Sequence, residues 1–105
     1  MRIFDCHAMV IGNNNYQNIR KLRGAINDAT ELSSALIMRE FNVTQSTNRT
    51  KLQMEEDIDN FVNRNFENAP FDNYPKIILF YFSGQGFQIN GEDFLLPIDA
   101  NPNNI

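Results

Sequence analysis

The apolar positions of the chain fall into short continuous runs and into longer stripes. Continuous apolar runs at residues 8–11 and 77–82 predict buried strands, because a parallel strand that is covered on both faces is apolar at every position. Residues 22–36 and 54–62 instead carry apolar side chains three or four positions apart, which is the pattern of one helix face. The segment 41–44 predicts a further short strand between the two helices.

Local signals indicate where these elements begin and end. Gly12, followed by three asparagines, stops the first strand in a loop. Asn27 or Asp28 is expected to begin the first helix, since either side chain can accept hydrogen bonds from the first turn. Thr50 and Gln53 form a capping-box pattern, which predicts the start of the second helix.

The C-terminal part predicts a hairpin that follows the last strand. Asn90 and Gly91 favour a tight turn between the short apolar segments 87–89 and 93–96. The order strand, helix, strand, helix, strand, hairpin predicts one α/β domain with parallel strands in the order 2-1-3. Because the apolar run 77–82 would then be an edge strand, we expect residues 1–105 to be the N-terminal part of a larger sheet, or to pair with another chain.

Composition excludes several classes of function. The 105 residues are 42% hydrophobic and 21% charged, with a net charge of −4 and nine scattered Lys and Arg residues. This balance indicates a globular protein and argues against binding to nucleic acid or to a membrane surface. The N-terminus lacks signal-peptide features, and the single cysteine can form no internal disulfide, so we expect a cytoplasmic protein. The 16 asparagines are interpreted as compositional drift.

Residues with a possible chemical role are expected at the carboxyl ends of the strands, where open α/β sheets carry their sites. Three segments meet this condition: the loop 12–16, the first helical turn around Asp28, and the stretch 83–86. Gly84 and Gly86 flank Gln85, so that the backbone can turn tightly and present one side chain above the sheet edge. A plain turn between strand and hairpin is the alternative interpretation.

Four stretches in order carry a resemblance to a known family. They are Ala-Met-Val-Ile-Gly-Asn at 8–13, Leu-x-Gly-Ala-x-Asn-Asp-Ala at 22–29, Tyr-Phe-Ser-Gly-x-Gly at 81–86 and Phe-Leu-Leu-Pro-Ile-Asp at 94–99. Together they resemble the caspase, metacaspase and paracaspase superfamily of cysteine peptidases. The resemblance implies a partial caspase-like three-layer sandwich. It also implies that residues 1–105 are the large-subunit part, ending before the strand that carries the catalytic cysteine.

One departure from the family pattern affects the expected activity. Active members carry His between the two glycines of the third stretch, whereas this chain carries Gln85. A cysteine peptidase needs a group that takes and returns a proton near neutral pH, and a glutamine amide has no such proton. We therefore expect an inactive fragment that acts as a pseudoprotease or scaffold. The alternatives are part of an active cysteine endopeptidase that cleaves after basic residues, and a flavodoxin-like binding domain.

Cys6 and His7 are not expected to replace the missing catalytic pair. Adjacent strand residues point to opposite faces, and both lie about 17 Å from the strand exit at Gly12, at about 3.3 Å per residue. One cysteine and one histidine also supply no metal-ligand set, so neither a metal nor another cofactor is expected.

Asp28 is the candidate residue for a substrate pocket. By resemblance to metacaspases and paracaspases, it would help to form a pocket for Arg or Lys. The alternative is a carboxylate that stabilises a helix N-terminus through the helix dipole. The expected partner is a protein or peptide: the remainder of the same domain, or another caspase-like chain.

Overall fold

A computed structural model describes residues 4–67 and 75–104 of the chain, and within them strands and helices alternate as predicted. The elements are β1 (Asp5–Gly12), α1 (Ala25–Met38), β2 (Asn42–Thr47), α2 (Lys51–Val62) with a π-helical turn (Asn63–Glu67), β3 (Lys76–Ser83), β4 (Gly86–Ile89), β5 (Glu92–Leu95) and a short 3-10 turn (Pro102–Asn104). None of the helices in these two ranges is long and apolar enough to cross a membrane.

The sheet has the predicted topology. β1 lies between β2 and β3 in the order β2-β1-β3, and both pairings are parallel. β4 and β5 form a separate antiparallel hairpin. Its turn places Asn90 at φ 51° and Gly91 at φ 83°, the left-handed backbone that this dipeptide favours. The α/β class, the strand order and the terminal hairpin are therefore confirmed.

β1 forms the centre of two small cores, because its successive side chains point to opposite faces of the sheet. On one face Ala8 and Val10 pack with Ala29 and Leu36 of α1. On the other face the buried cluster joins β1 to α2, and its members are Met9, Ile11, Met54 and Phe61. Each helix thus covers one face of the same central strand.

The first helix begins earlier than predicted. α1 starts at Ala25, so the prediction of a start at Asn27 or Asp28 is wrong, and Asp28 lies inside the first turn. The residue before the helix, Gly24, has no capping side chain. Asn14 supplies the cap instead, because its Oδ1 accepts hydrogen bonds from the backbone N–H of Ala25 at 2.9 Å and of Ile26 at 3.2 Å. A cap from eleven residues upstream leaves no signal in the local pattern.

The start of α2 agrees with the sequence pattern. The Thr50 side chain accepts from the Gln53 backbone N–H at 3.3 Å, and the Gln53 side chain accepts from the Thr50 N–H at 3.0 Å. This reciprocal pair is the capping box that the two residues predict.

β3 is less buried than its apolar sequence predicts. Ile77 is 38% exposed and Phe80 is 45% exposed, so the prediction of a strand covered on both faces is wrong for these residues. The reason is the position of the strand, since β3 pairs with β1 and, among the described residues, has no second neighbour. β3 is therefore the predicted edge strand, and it carries the partly exposed apolar side chains of Ile77 and Phe80.

Candidate functional site

The carboxyl ends of β1 and β3 are joined by hydrogen bonds across the edge of the sheet. The backbone N–H of Asn13 donates to the Ser83 carbonyl at 2.9 Å. The Tyr16 hydroxyl accepts from the Gln85 backbone N–H at 2.8 Å and donates to the Leu96 carbonyl at 2.9 Å. One buried hydroxyl therefore fixes the turn that carries Gln85 and the segment that follows the hairpin.

Tyr16 is 1% exposed, and its environment favours the neutral phenol. Burial raises the pKa of Tyr16 above its ordinary value of 10.0, while the hydrogen bond from the Gln85 backbone partly opposes that shift. A neutral hydroxyl can both donate and accept, and the two bonds at the carboxyl edge need both functions.

We expect Tyr16→Phe to lower the free energy of unfolding by about 1–2 kcal/mol at pH 7, because it leaves the Gln85 N–H and the Leu96 carbonyl without their shared partner. The stabilisation that Tyr16 contributes is complete below its unfolded pKa, near 10, and is lost as the pH rises through the higher folded value. The difference between wild type and variant should therefore shrink above about pH 10. Urea titrations of the wild type and of Tyr16→Phe across this pH range test the prediction. The control is Tyr81→Phe, at a tyrosine that is half-buried. A difference that grows with alkaline pH would contradict the assignment.

Gln85 lies on a tight turn and is held mainly through its backbone. Its N–H binds the Tyr16 hydroxyl, its carbonyl accepts from the Leu96 N–H at 2.9 Å, and its side-chain Nε2 donates to the Arg20 carbonyl. The residue is half-buried. Because the side-chain bond is on the solvent side, the backbone contacts and not the amide determine the shape of this turn.

The turn requires a residue without a side chain before Gln85. A Cβ at Gly84 would lie 2.6 Å from the Tyr16 Oη and 2.7 Å from the Phe82 Cζ. A Cβ at Gly86 would lie 3.0 Å from the Phe94 carbonyl. The two glycines therefore let the backbone pass close to its neighbours at the sheet edge.

Asn13 is fully buried at the same edge and connects three segments. Its Oδ1 accepts from the Arg49 backbone N–H at 2.9 Å, and its Nδ2 lies 3.4 Å from the Leu96 carbonyl and 3.8 Å from the Met54 sulfur. An amide can accept with its oxygen and donate with its nitrogen at the same time, as these contacts require. Asn13 thus joins the end of β1 to the loop before α2 and to the segment after β5.

Two further asparagines complete this connection. Asn14 caps α1, and the Asn48 Oδ1 accepts from the backbone N–H groups of Asn14 and Asn15, each at 3.0 Å. Asn48 has φ 52°, a left-handed conformation that asparagine tolerates better than most residues. The interpretation of the asparagine content as drift is therefore wrong for these positions. The signal that could have identified them is their place directly after parallel strands.

Asp28 lies apart from this network. Its side chain is exposed on the first turn of α1, and no hydrogen bond among the described residues joins it to Gln85. The structure thus brings the loop 12–16 and the stretch 83–86 together, and it connects them to the start of α1 through Asn14 rather than through Asp28. The pocket role of Asp28 stays a prediction.

Cys6 and His7 lie at the opposite, amino edge of the sheet. The His7 Nε2 lies 2.8 Å from the Asp5 Oδ1, and the Lys76 Nζ donates to the Asp5 Oδ2 at 2.7 Å. The Lys76 ammonium, and next the His7 ring, hold the pKa of the Asp5 carboxyl below its usual value. His7 is therefore hydrogen-bonded to Asp5, whose ion pair with Lys76 joins β1 to β3, while Cys6 is half-buried beside it. In residues 4–67 and 75–104, no group of three or more His, Cys, Asp or Glu side chains could hold a metal ion.

Comparison with known proteins agrees with this architecture. The caspase domain family matches residues 5–105. The human mucosa-associated lymphoid tissue lymphoma translocation protein 1 is 30% identical over 96 residues, which cover 90% of this chain and 11% of that protein. Its mouse homolog is 29% identical over 96 residues, with the same coverage. The chain therefore spans about a tenth of the length of the curated relatives that it matches. Because the family match extends over nearly all of its residues, the chain belongs to the caspase domain family.

Proposed function

We propose that this chain is the N-terminal part of a caspase-like domain that binds protein or peptide partners and does not cleave them. The observation that carries the proposal is Gln85, which occupies the position where active members of the family carry His. Its amide nitrogen is engaged with the Arg20 carbonyl, and the amide has no proton that titrates near neutral pH.

The chemistry of a cysteine peptidase explains why this one residue decides the function. The thiol must lose its proton to a neighbouring base, and the leaving amine must then receive a proton from the same group. Gln85 can donate or accept a hydrogen bond, but it can neither remove the proton of the thiol nor supply a proton to the leaving amine. Its turn nevertheless keeps the backbone contacts to Tyr16 and Leu96, so the substitution removes the base without removing the turn that would present it.

The exposed edge of β3 supports a role in binding. Ile77 and Phe80 stand beside an edge that has no second strand among the described residues, and such an edge pairs readily with a further strand. We propose that the remainder of the domain, or another caspase-like chain, supplies that strand. The single cysteine fits a reducing compartment, so we propose the cytoplasm as its location.

A peptidase assay on the intact protein tests the proposal. We expect no turnover of fluorogenic peptides that end in Arg, Lys or Asp, because no base stands at position 85. Cys6→Ala and thiol alkylation serve as controls that separate genuine cysteine-peptidase activity from contamination. Turnover that is abolished both by alkylation and by Cys6→Ala would overturn the proposal, because the single cysteine of these 105 residues would then act as a nucleophile without a His at position 85.

The same assay decides on the alternative of an endopeptidase that cleaves after basic residues. That function would use the exposed Asp28 carboxylate to bind Arg or Lys. If it holds, the intact protein cleaves after Arg or Lys, and Asp28→Asn lowers this turnover without lowering the free energy of unfolding. The match to the caspase domain family over residues 5–105 excludes the flavodoxin-like alternative.

A further inference from the structure

β2 forms the second edge of the sheet, on the side opposite to β3. Among the described strands it pairs with β1 alone. In the part of the chain that the structure describes, no loop or side chain is hydrogen-bonded to the backbone of β2. The backbone groups of an edge strand that point away from the sheet are free to pair with a further strand.

The sequence of β2 lacks the features that usually protect an edge strand from such pairing. Protected edges carry charged side chains, proline or a β-bulge. Residues 42–47 read Asn-Val-Thr-Gln-Ser-Thr, without a charged residue, proline or glycine, and they pair with β1 in unbroken register. An uncharged six-residue segment of this kind pairs readily with a strand of another molecule.

The side chains of β2 are complementary to those of a second copy of the same strand. Five of the six carry a hydroxyl or an amide, and each of these groups can both donate and accept a hydrogen bond. Antiparallel pairing around the middle of the strand brings the polar side chains of one copy opposite those of the other. A partner segment of opposite charge would find no ion pair to form with β2 itself.

An exposed apolar side chain lies beside this edge. The Gln45 Nε2 donates to the Thr30 Oγ1 at 3.0 Å, which places that side of α1 next to β2. Ile37 follows Thr30 by about two helical turns, so it lies on the same side of α1, and it is 59% exposed. If two β2 strands pair about a two-fold axis, Ile37 of each copy approaches the other copy and adds apolar contact to a polar interface.

We propose that β2 is a dimerisation edge, at which β2 of a second copy of this chain pairs antiparallel to form one continuous sheet. Such a contact uses the same surface on both copies, so that association ends at two. It lies at the edge opposite to β3 and does not depend on the partner proposed for that strand. Because each copy carries a net charge of −4, the copies repel each other, and salt should strengthen the dimer.

Sedimentation velocity of the intact protein at roughly 5–500 μM tests the proposal. We expect an equilibrium between one and two copies, with a dissociation constant that falls when NaCl is raised from about 50 to about 500 mM. Gln45→Lys should raise the dissociation constant about tenfold or more, because it places a charge on the pairing edge. The matched control is Gln88→Lys, the same change on the exposed hairpin, with an expected effect of less than about twofold.

A second pair of variants tests the apolar contact and leaves β2 unchanged. Ile37→Gln should raise the dissociation constant about threefold or more, because apolar surface that the dimer buries is lost. Met38→Gln is its control. Met38 is 84% exposed and points about 100° around the helix axis from Ile37, so we expect a change of less than about twofold. Circular dichroism of each variant shows that the fold is kept.

A single copy at the highest concentration would overturn the proposal, as would equal effects of Gln45→Lys and Gln88→Lys in folded proteins. Growth beyond two copies would also overturn it, because it would indicate that β2 pairs with β3 of the next copy. Equal effects of Ile37→Gln and Met38→Gln would contradict the placement of α1 beside the interface. None of these outcomes depends on whether the protein cleaves peptides.

Discussion

Asn13→Ala is expected to lower the free energy of unfolding by about 2–4 kcal/mol, because it removes the central group of a buried polar network. The variant leaves the Arg49 N–H without an acceptor and removes a donor from the Leu96 carbonyl, both at the buried end of β1. It also opens a small void beside Met54, which adds the cost of lost packing. Urea unfolding followed by circular dichroism measures the change.

Asn15→Ala is the matched control for this prediction. Asn15 lies two residues further along the same loop, its side chain is exposed, and it takes part in the network only through its backbone N–H. We expect a change within about 0.5 kcal/mol, the usual range for surface substitutions. Equal effects of the two substitutions would show that the loop, and not the Asn13 amide, determines the stability of the carboxyl edge.

Gly84→Ala should lower the free energy of unfolding by about 2–3 kcal/mol, in the range of forced overpacking. The added methyl group would lie 2.6 Å from the Tyr16 Oη and 2.7 Å from the Phe82 ring, so the turn would have to move. Gly24→Ala is the control, because a Cβ at Gly24 meets nothing within 4 Å. If Gly84→Ala were as harmless as Gly24→Ala, the turn would not pass as close to Tyr16 as described.

A double variant shows which neighbour causes the loss. Tyr16→Phe removes the hydroxyl that a methyl group at position 84 would meet first. The combined loss in Tyr16→Phe with Gly84→Ala should therefore be smaller than the sum of the two single losses, since the residues are in direct contact. Strict additivity would contradict this contact.

The elements that could be predicted from the sequence are those whose type and position follow from one strong local pattern. Residues 8–11 and 77–82 are apolar at every position, which indicates strands. Thr50 and Gln53 form a capping box within three residues of each other, which indicates the start of α2. The start of α1 was not predictable in this way, because its cap comes from Asn14, across the loop. The exposure of Phe80 also escaped prediction, since residue type indicates how apolar a strand is and not what lies against it.

The candidate site was predictable only in part. The tight turn at 84–86 follows from its glycines, and the importance of Gln85 comes from the resemblance. The residues that hold this turn, Tyr16 and Asn13, had no assigned role, because their contacts are to backbone groups more than 30 residues away in the chain. Such contacts depend on the way in which the strands assemble, and a single sequence carries no direct record of them.

The free energy of unfolding of Gln85→His shows whether position 85 is held by its backbone or by its side chain. The backbone of Gln85 is fixed through Tyr16 and Leu96, so that an amide or an imidazole fits the same turn and only the chemistry differs. We expect the free energy of unfolding to change by less than about 1 kcal/mol, the worth of one solvent-facing hydrogen bond. Gln88→His, on the exposed hairpin, is the control. A loss of about 3 kcal/mol or more for Gln85→His alone would contradict this expectation, because it would make Gln85 a structural residue whose side chain the fold requires.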